Sequence, residues 1–289
     1  MKPTVGFIGL GLMGLPMARR LQNAGYRLHV YNRTKQKAET LLSNGAVWCE
    51  SAAEVARQSE IVLTMISTSE VLEELSAEIH PALGTGSLHI DTSTVSPSLT
   101  AELYQLYRTE GKHFLHAPVL GSIPQATDGT LLLFVGGDDD AYKRSEELLK
   151  VLGKHVWRFP SVAQASHTKL LCNLFIAGMI TTLTQAIVFA QKAEVDPRTL
   201  LEILPHSALN ALMYQSKGKS IIEGNFTPRF FLDHMLKDIN LMLDAAGKIG
   251  APLPTIEAAQ ELFARASQIG LGKEDYSAVV KVLSSDYRP

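Results

Sequence analysis

Near its amino terminus the chain reads Val5-Gly6-Phe7-Ile8-Gly9-Leu10-Gly11-Leu12-Met13-Gly14. The apolar run Val5–Ile8 is typical of a buried strand. The residues Leu15–Leu21 favour a helix, and Gly25 can end it. A Gly-x-Gly-x-x-Gly pattern therefore lies between a strand and a helix, which is the context in which that pattern indicates dinucleotide binding rather than an ordinary glycine-rich connection.

Each glycine of the turn suits one requirement of such a site. Gly9 permits a tight turn, Gly11 lets a pyrophosphate approach the backbone, and Gly14 lets the helix pack closely on the strand. The amino terminus of the helix offers N–H groups and a positive dipole end to the phosphates. The predicted cofactor contacts here are Gly9, Leu10, Gly11, Leu12, Met13 and Gly14.

The second predicted strand, Leu28–Tyr31, ends at Asn32-Arg33-Thr34. A site selective for NAD carries Asp or Glu here, which accepts hydrogen bonds from the ribose 2′-hydroxyl. A neutral Asn32 followed by Arg33 instead suits a 2′-phosphate, which a guanidinium can bind in bidentate fashion. The alternative is a solvated polar turn. The pattern favours NADPH over NADH, with contacts from Asn32, Arg33 and Thr34.

Composition limits the class of protein. The 289 residues are 46% hydrophobic and 19% charged, as in soluble globular proteins, and 27 basic against 29 acidic residues leave no electrostatic signature of nucleic-acid binding. Cys49 and Cys172 are too few and too far apart for a disulfide framework, and no spacing indicates a metal site. We therefore expect a cytoplasmic protein without metal or nucleic-acid partner.

One stretch, Leu170–Ala190, carries no charge and has the length of a membrane span. It nevertheless contains Asn173, Gln185 and several threonines. We interpret it as a helix buried on most sides at a domain or subunit core, and we expect no membrane partner.

Strands alternate with helices as far as Phe159, and helices alone follow from about Ala163. The pattern predicts an α/β Rossmann domain, with a doubly wound parallel sheet, over residues 1–161 and an all-α domain over residues 162–289. The later strands are predicted at residues 46–49, 61–66, 87–91, 113–117, 131–135 and 155–159. The strand 61–66 ends at Ile66 and is followed by Ser67, on the carboxyl edge where ligands bind in such sheets, and we predict that Ile66 and Ser67 contact the cofactor.

Lys169 and Asn173 are four residues apart at the start of the uncharged stretch, so they share a helix face. A lysine and an amide together suit a carbonyl, because one can donate a proton while the other orients the oxygen. Spacing alone leaves a surface lysine equally open. Other polar segments have ordinary structural interpretations as well. Lys237-Asp238 is equally consistent with a solvated charged pair, Asp91–Thr94 with a helix cap, and Gly121-Ser122 with a turn.

Five motifs in order resemble the β-hydroxyacid dehydrogenase family, which contains 3-hydroxyisobutyrate dehydrogenase and the glyoxylate/succinic semialdehyde reductases. The resemblance covers nearly the whole chain. The motifs are Gly9–Ala18, Asp91–Thr94, Ala117-Pro118-Val119, Lys169–Asn173 and Lys237-Asp238.

The resemblance implies a Rossmann domain and a helical domain that forms homodimers, often paired into homotetramers. It makes Lys169 the catalytic lysine, supported by Asn173, and places Thr94 and Lys237 at the cofactor. It places Ser93, Gly121 and Ser122 at the substrate, together with Lys169 and Asn173. Gly121-Ser122 and Asn32-Arg33-Thr34 look more like the NADPH-dependent semialdehyde reductase branch than the NAD-dependent 3-hydroxyisobutyrate branch.

Three points separate this chain from its relatives. Leu120 replaces the serine that usually follows Pro-Val, which removes a hydroxyl expected near the substrate carboxylate. The usually glycine-rich stretch before the lysine reads Ala163–Thr168. The related imine reductases typically lack this lysine, so Lys169 argues against that group.

The sequence therefore predicts NADPH-dependent reduction of a small aldehyde or keto acid, of the succinic semialdehyde or glyoxylate type, to the hydroxy acid. Hydride goes to the carbonyl carbon, and Lys169 acts as general acid/base. One alternative is an NAD-dependent 3-hydroxyisobutyrate-type dehydrogenase. The other is a non-catalytic nucleotide-binding protein that keeps the fold.

Overall fold

The structure, a computed structural model, describes residues 2–283. The chain forms two compact units, which divide between Leu170 and Leu171. This division lies within one long helix, whereas the sequence predicts the boundary at the start of that helix.

The first unit is built on a nine-stranded sheet. Its strands are β1 (Val5–Ile8), β2 (Leu28–Tyr31), β3 (Val47–Trp48), β4 (Ile61–Thr64), β5 (Leu88–Asp91), β6 (His113–His116), β7 (Val119–Leu120), β8 (Leu131–Gly136) and β9 (Gly153–Phe159). The first six lie in the order β3-β2-β1-β4-β5-β6 and are all parallel. Then β8 runs antiparallel to β6 and β7 and parallel to β9. The doubly wound class is confirmed.

Seven helices of the described chain accompany this sheet. They are α1 (Gly14–Asn23), α2 (Glu39–Leu42), α3 (Ala52–Arg57), α4 (Ser69–Ala82), α5 (Pro97–Thr109), α6 (Ile123–Asp128) and α7 (Asp139–Leu152). Successive strand residues face opposite sides of a sheet. Accordingly, Val5 and Phe7 of β1 pack in one buried apolar cluster and Ile8 packs in the other. A core on each face holds the carboxyl ends of the strands in fixed positions.

The second unit is helical over its described residues. The helix α8 (Val162–Lys192) begins in the first unit, and the others are α9 (Pro197–Ile203), α10 (Leu212–Ile222), α11 (Leu232–Ile249), α12 (Pro254–Gln268) and α13 (Val280–Leu283). The helices α11 and α12 pack against each other. Met235, Ile239 and Met242 recur at helical spacing on the buried side of α11, while Ile256 and Phe263 are buried on α12.

Among residues 2–283, α8 is the one helix long and apolar enough to cross a membrane, judged by length and composition alone. Only 39% of its most apolar window is buried. Phe175 and Phe189 are 68% and 76% exposed. In the single chain this helix is therefore less buried than the sequence predicts.

The structure departs from the predicted elements mainly where they are short. The sequence of residues 35–44 predicts one helix, whereas the structure has a 3₁₀ turn, Lys35–Ala38, followed by the four-residue α2. The strand β7 and the helix α6 were not predicted, because two and six residues are too few to show a hydrophobic period. Ser51 with Glu54 three residues on is a capping-box pattern and predicts the start of a helix. At α3 this cap is confirmed, with the Ser51 hydroxyl accepting from the Glu54 N–H at 3.1 Å.

Candidate functional site

The glycine turn between β1 and α1 tolerates no side chain at two of its positions. Gly9 has φ +96°, a conformation that favours glycine, and a Cβ there would collide with the Met65 carbonyl oxygen. A Cβ on Gly14 would collide with the Gly9 carbonyl oxygen. Close packing of the turn on the end of β4 and on α1 therefore explains both glycines.

Gly11 is different, because its Cβ position has no atom within 4 Å. It is exposed, as is Leu12 beside it. The space in front of Gly11 is thus open to a ligand, next to the positive dipole end of α1. Within the first turn of α1, the Leu15 and Met17 N–H groups donate to the Gly11 and Met13 carbonyl oxygens at 3.1 and 3.2 Å. An open cradle at a helix amino terminus fits the pyrophosphate of a dinucleotide.

Asn32 holds this turn to the end of β2. Its Oδ1 accepts from the Leu10 N–H at 2.9 Å, and its Nδ2 donates to the Thr34 carbonyl at 2.9 Å. Arg33 and Thr34 are exposed beyond it. Arg33 forms no ion pair within residues 2–283, whereas Lys35 pairs with Glu50 at 3.4 Å. An exposed guanidinium therefore follows Asn32 directly, just beyond the end of β2, where dinucleotide sites carry the ribose-recognition position.

The segment after β4 borders the same turn. The strand order reverses direction between β1 and β4, and ligands of doubly wound sheets bind at such a switch point. The Ile66 Cγ2 atom lies 3.1 Å from where a Gly9 Cβ would be. Ile66 is half-buried beside the turn, and Ser67, the next residue, is exposed.

The next strand brings Ser93 and Thr94 to this edge. The Ser93 hydroxyl is fully buried; it donates to Asp91 Oδ1 at 2.7 Å and accepts from the Ile66 N–H at 2.9 Å. This hydroxyl, predicted to meet substrate, is therefore engaged within the first unit. Thr94 is half-buried next to it.

Gly121 and Ser122 form the entry to α6. Gly121 has φ +149° and is exposed, and a Cβ there would approach the Leu131 side chain to 2.7 Å. The Ser122 N–H donates to Gln125 Oε1 at 2.9 Å. Both residues thus serve a turn and a helix cap, which leaves a substrate role for them a prediction.

Lys169 and Asn173 are one turn apart on α8 and are 8% and 3% exposed. Lysine is almost never so buried without a specific partner. The division of the chain puts Lys169 in the same unit as the glycine turn and Asn173 in the helical unit. The shared helix face predicted from their spacing is confirmed by the continuous helix.

The helical unit contains a polar group that the sequence analysis did not single out as a site residue, Asp238 on α11. Its Oδ2 accepts from Asn173 Nδ2 at 2.6 Å and its Oδ1 pairs with Lys237 Nζ at 2.7 Å. Asp238 is only 2% exposed, and its carboxylate joins the buried amide of Asn173 to the ammonium of Lys237, whose side chain is 22% exposed. One signal could have found it: Asp238 interrupts the apolar stripe of Met235, Ile239 and Met242.

Residues 2–283 contain no group of three or more His, Cys, Asp or Glu side chains that could hold a metal ion. Four of the predicted cofactor segments follow strands of the parallel part of the sheet, at its carboxyl edge. They are the glycine turn, Arg33, Ile66–Ser67 and Thr94. The arrangement can hold an extended, anionic, two-part ligand. Asn173, Lys237 and Asp238 form a second group within the helical unit.

Two family descriptions together match most of the chain. The NAD binding domain of 6-phosphogluconate dehydrogenase matches residues 4–164. The description "NAD-binding of NADP-dependent 3-hydroxyisobutyrate dehydrogenase" matches residues 163–283.

Relatives of similar length match the chain almost from end to end. Glyoxylate/succinic semialdehyde reductase 2, chloroplastic, of Arabidopsis thaliana is 33% identical over 98% of this chain and 80% of its own. The 2-(hydroxymethyl)glutarate dehydrogenase of Eubacterium barkeri is 30% identical over 96% of this chain and 94% of its own. The structure of Mycobacterium tuberculosis 3-hydroxyisobutyrate dehydrogenase with L-serine is 26% identical, with a TM-score of 0.88, over 98% of this chain and 99% of that one.

Proposed function

The chain belongs to the β-hydroxyacid dehydrogenase family of NAD(P)-dependent oxidoreductases, and from this premise we propose that it reduces a small aldehyde or keto acid to the hydroxy acid with NADPH. The substrates that we propose are of the succinic semialdehyde or glyoxylate type. The observation that carries the proposal is the buried Lys169, one helical turn from the buried Asn173, in a chain whose glycine turn fits a dinucleotide.

Cofactor preference is proposed from the end of β2. In NAD sites, the residue at this position accepts hydrogen bonds from the ribose hydroxyls, and here it is the neutral Asn32. The Asn32 amide is already hydrogen-bonded at both ends, to the Leu10 N–H and to the Thr34 carbonyl. Arg33 is exposed next to it and unpaired within the described residues. A guanidinium without a carboxylate beside it favours a cofactor with a 2′-phosphate.

The chemistry that we assign to the chain's own residues is proton delivery and orientation. When bound, the nicotinamide supplies the hydride that forms the new C–H bond. Lys169 donates a proton to the carbonyl oxygen, which otherwise becomes an alkoxide. Asp238 holds Asn173 Nδ2, so the amide of Asn173 has one orientation and can help to position the lysine or the substrate oxygen. In the reverse direction Lys169 accepts the hydroxyl proton.

Two alternatives predict different behaviour. An NAD-dependent 3-hydroxyisobutyrate-type dehydrogenase would oxidise the hydroxy acid with NAD⁺; the mycobacterial neighbour is named a 3-hydroxyisobutyrate dehydrogenase. A non-catalytic nucleotide-binding protein would bind the cofactor without turnover. Retention of Lys169, Asn173 and Lys237 together supports an enzyme. Leu120 stands where relatives carry serine, so we expect this chain to differ from them in how it binds the carboxylate of the substrate.

The test is a steady-state assay at the nicotinamide absorbance band. Succinic semialdehyde, glyoxylate and related carbonyl acids are reduced with NADPH and with NADH, and 3-hydroxyisobutyrate is oxidised with NADP⁺ and with NAD⁺. We expect the highest kcat/KM for a semialdehyde-type substrate with NADPH. Fastest turnover of 3-hydroxyisobutyrate with NAD⁺ would support the first alternative, and cofactor binding without any turnover the second.

A single substitution tests the cofactor assignment. Because one charge-assisted contact contributes about 1.5–3 kcal/mol, Arg33→Ala should raise the Kd for NADPH roughly ten- to a hundredfold and leave that for NADH nearly unchanged. Arg144→Ala, which removes an exposed arginine from α7, is the matched control and should change neither value. Equal losses for NADPH and NADH would contradict a contact with the 2′-phosphate.

A further inference from the structure

A buried polar cluster lies directly beneath the two segments that border the cofactor cradle. Its centre is Asp91, the last residue of β5, whose side chain is fully buried. Asp91 Oδ1 accepts from the Thr64 and Ser93 hydroxyls, each at 2.7 Å, and Oδ2 accepts from the Ser93 N–H at 3.3 Å. The ring of His116, also fully buried, places Nδ1 3.1 Å from Oδ2. The proposed reaction uses none of these side-chain contacts.

The direction of each hydrogen bond in the cluster follows from counting protons. Thr64 has one hydroxyl proton and donates it to Asp91, so it must accept from His89 Nε2 at 3.0 Å. The Nδ1 atom of His89 is then an acceptor, and the Tyr107 hydroxyl, 2.8 Å away, donates to it. In this series of hydrogen bonds, from Tyr107 through His89 and Thr64 to Asp91, each donor is therefore directed towards Asp91.

The cluster is suited to a negative charge at its centre. Burial alone would raise the pKa of Asp91, but the hydrogen bond and charge of His116, together with the Ser93 and Thr64 hydroxyls, hold it below its ordinary value. Burial lowers the pKa of His89 to about 4, so this ring is a neutral donor. A fixed carboxylate surrounded by donors can orient the groups that bond to it.

One of those groups reaches the edge of the sheet. The Ser93 hydroxyl gives its proton to Asp91, which leaves its lone pairs directed at the Ile66 N–H at 2.9 Å. Ile66 is the second residue of the segment after β4, which packs against Gly9 at the switch point between β1 and β4. The position of this segment therefore depends on a side chain two residues beyond the end of the neighbouring strand.

We propose that Asp91 is a positioning residue that, through Ser93, fixes the Ile66 segment against the glycine turn and so sets cofactor affinity. The inference rests on the proposed function only in that this edge of the sheet binds a nicotinamide dinucleotide; it does not depend on the carbonyl substrate. Asp91 and Thr64 act through Ser93, and none of them needs to touch the cofactor with its side chain.

The experiment compares two serine deletions in the first unit. Ser93→Ala removes the link between Asp91 and Ile66. Ser145→Ala removes an equally buried hydroxyl that bonds to the Ala141 carbonyl of its own helix, α7. For each folded protein we measure the Kd for NADPH by fluorescence titration and the amide hydrogen exchange of residues 65–68. Ser93→Ala should weaken NADPH binding roughly tenfold, the equivalent of one hydrogen bond, and lose protection at Ile66. Ser145→Ala should change neither quantity.

Three further variants change Asp91 or its donor Thr64 instead of Ser93. They keep the test decisive if Ser93→Ala does not fold. Asp91→Asn removes the charge and should lower both cofactor affinity and Ile66 protection in the same way as Ser93→Ala. Thr64→Val removes one donor to Asp91 and should give a smaller loss of the same kind, whereas Thr64→Ser keeps the hydroxyl and should restore wild-type values. This rescue is not expected if the position only fills space.

The outcomes separate the inference from the proposed function. If folded Ser93→Ala loses stability but keeps wild-type cofactor affinity and Ile66 exchange, Asp91 has only a structural role and the inference is wrong. A higher KM for the carbonyl substrate alone would also overturn it, because that result indicates direct substrate contact by Ser93. Wild-type protein that binds NADPH but reduces none of the carbonyl acids would contradict the proposed substrate and leave the positioning result valid.

Discussion

Lys169 is the residue on which the proposed chemistry depends most directly. A positioned general acid contributes about 10²–10⁴-fold to turnover, so Lys169→Ala should lose kcat by that factor while still binding NADPH. Lys169→Arg should not restore it, because a guanidinium is a poor proton donor at neutral pH. Steady-state kinetics and cofactor titration on the folded variants measure both effects.

The control for Lys169 is another lysine of the first unit. Lys154 lies on β9 and is exposed, so Lys154→Ala should leave kcat and the Kd for NADPH at wild-type values. Turnover of Lys169→Ala within about threefold of wild type would mean that the proton comes from elsewhere.

His89 should make stability depend on pH. Burial lowers the pKa of the folded-state imidazole from 6.5 to about 4. Between these values the unfolded chain binds a proton that the folded chain does not, so the free energy of unfolding falls as the pH falls through this range. The full gap corresponds to about 3 kcal/mol.

The measurement for His89 is urea denaturation between pH 7 and 4. His89→Gln keeps an N–H donor and an oxygen acceptor without a titrating group, so its stability should fall less steeply than that of the wild type. Asp91 titrates in both proteins, and the comparison therefore isolates His89. Parallel stability curves would show that His89 is protonated equally in the folded and unfolded chains.

At the scale of elements, two Gly→Ala substitutions at α11 should change the free energy of unfolding in opposite directions. Gly247 lies inside the helix, and Gly250 follows it with φ +71°. An added Cβ meets no atom within 4 Å at either position. Gly247→Ala should therefore raise the free energy of unfolding by about 0.5–1 kcal/mol. Gly250→Ala should lower it by about 1–2 kcal/mol because of its left-handed backbone.

Chemical denaturation of the two α11 variants beside wild type measures this difference. Both glycines are exposed, so neither substitution changes core packing and the difference reports backbone conformation alone. Two changes of the same sign would contradict the left-handed end of α11 at Gly250.

At the scale of the whole molecule, the exposed part of α8 predicts association. Phe175 and Phe189 are largely exposed on the uncharged stretch 170–190 of this helix, and an apolar cavity of about 400 Å³ beside Phe175 is lined by Met179, Tyr214 and Pro254 among others. Aromatic side chains next to an apolar groove on one face suit a two-fold interface, in which each copy offers both parts. We propose that a second copy of this chain covers this face, so that the protein is at least a dimer.

Light scattering at micromolar concentration tests this. The wild type should have at least twice the mass of one chain, and Phe175→Glu with Phe189→Glu should shift it towards the monomer. Leu106→Glu places the same charge at a 44% exposed apolar residue of α5 and should leave the mass unchanged. A folded, monomeric wild type would refute the proposal.

Much of the architecture is determined by patterns that lie within one short stretch. The Val5–Gly14 segment predicts strand, turn and helix because the period of apolar residues and the spacing of glycines are local properties. Asn32-Arg33 is interpretable because it ends a strand that the same kind of pattern identifies. Residue order alone thus leads to the doubly wound sheet and the helical second part, and it predicts the glycine turn as the cofactor site.

Contacts between residues distant in sequence were decided only by the tertiary structure. Asn173 and Asp238 are 65 positions apart, and Ser93 and Ile66 are 27 positions apart. No periodicity connects such pairs; they meet because α11 packs in the helical unit and because β5 lies beside β4. Burial has the same origin. Ser93 looks like a substrate contact in the sequence, but strand pairing places its hydroxyl between one acceptor, Asp91 Oδ1, and one donor, the Ile66 N–H, and buries it at the sheet edge.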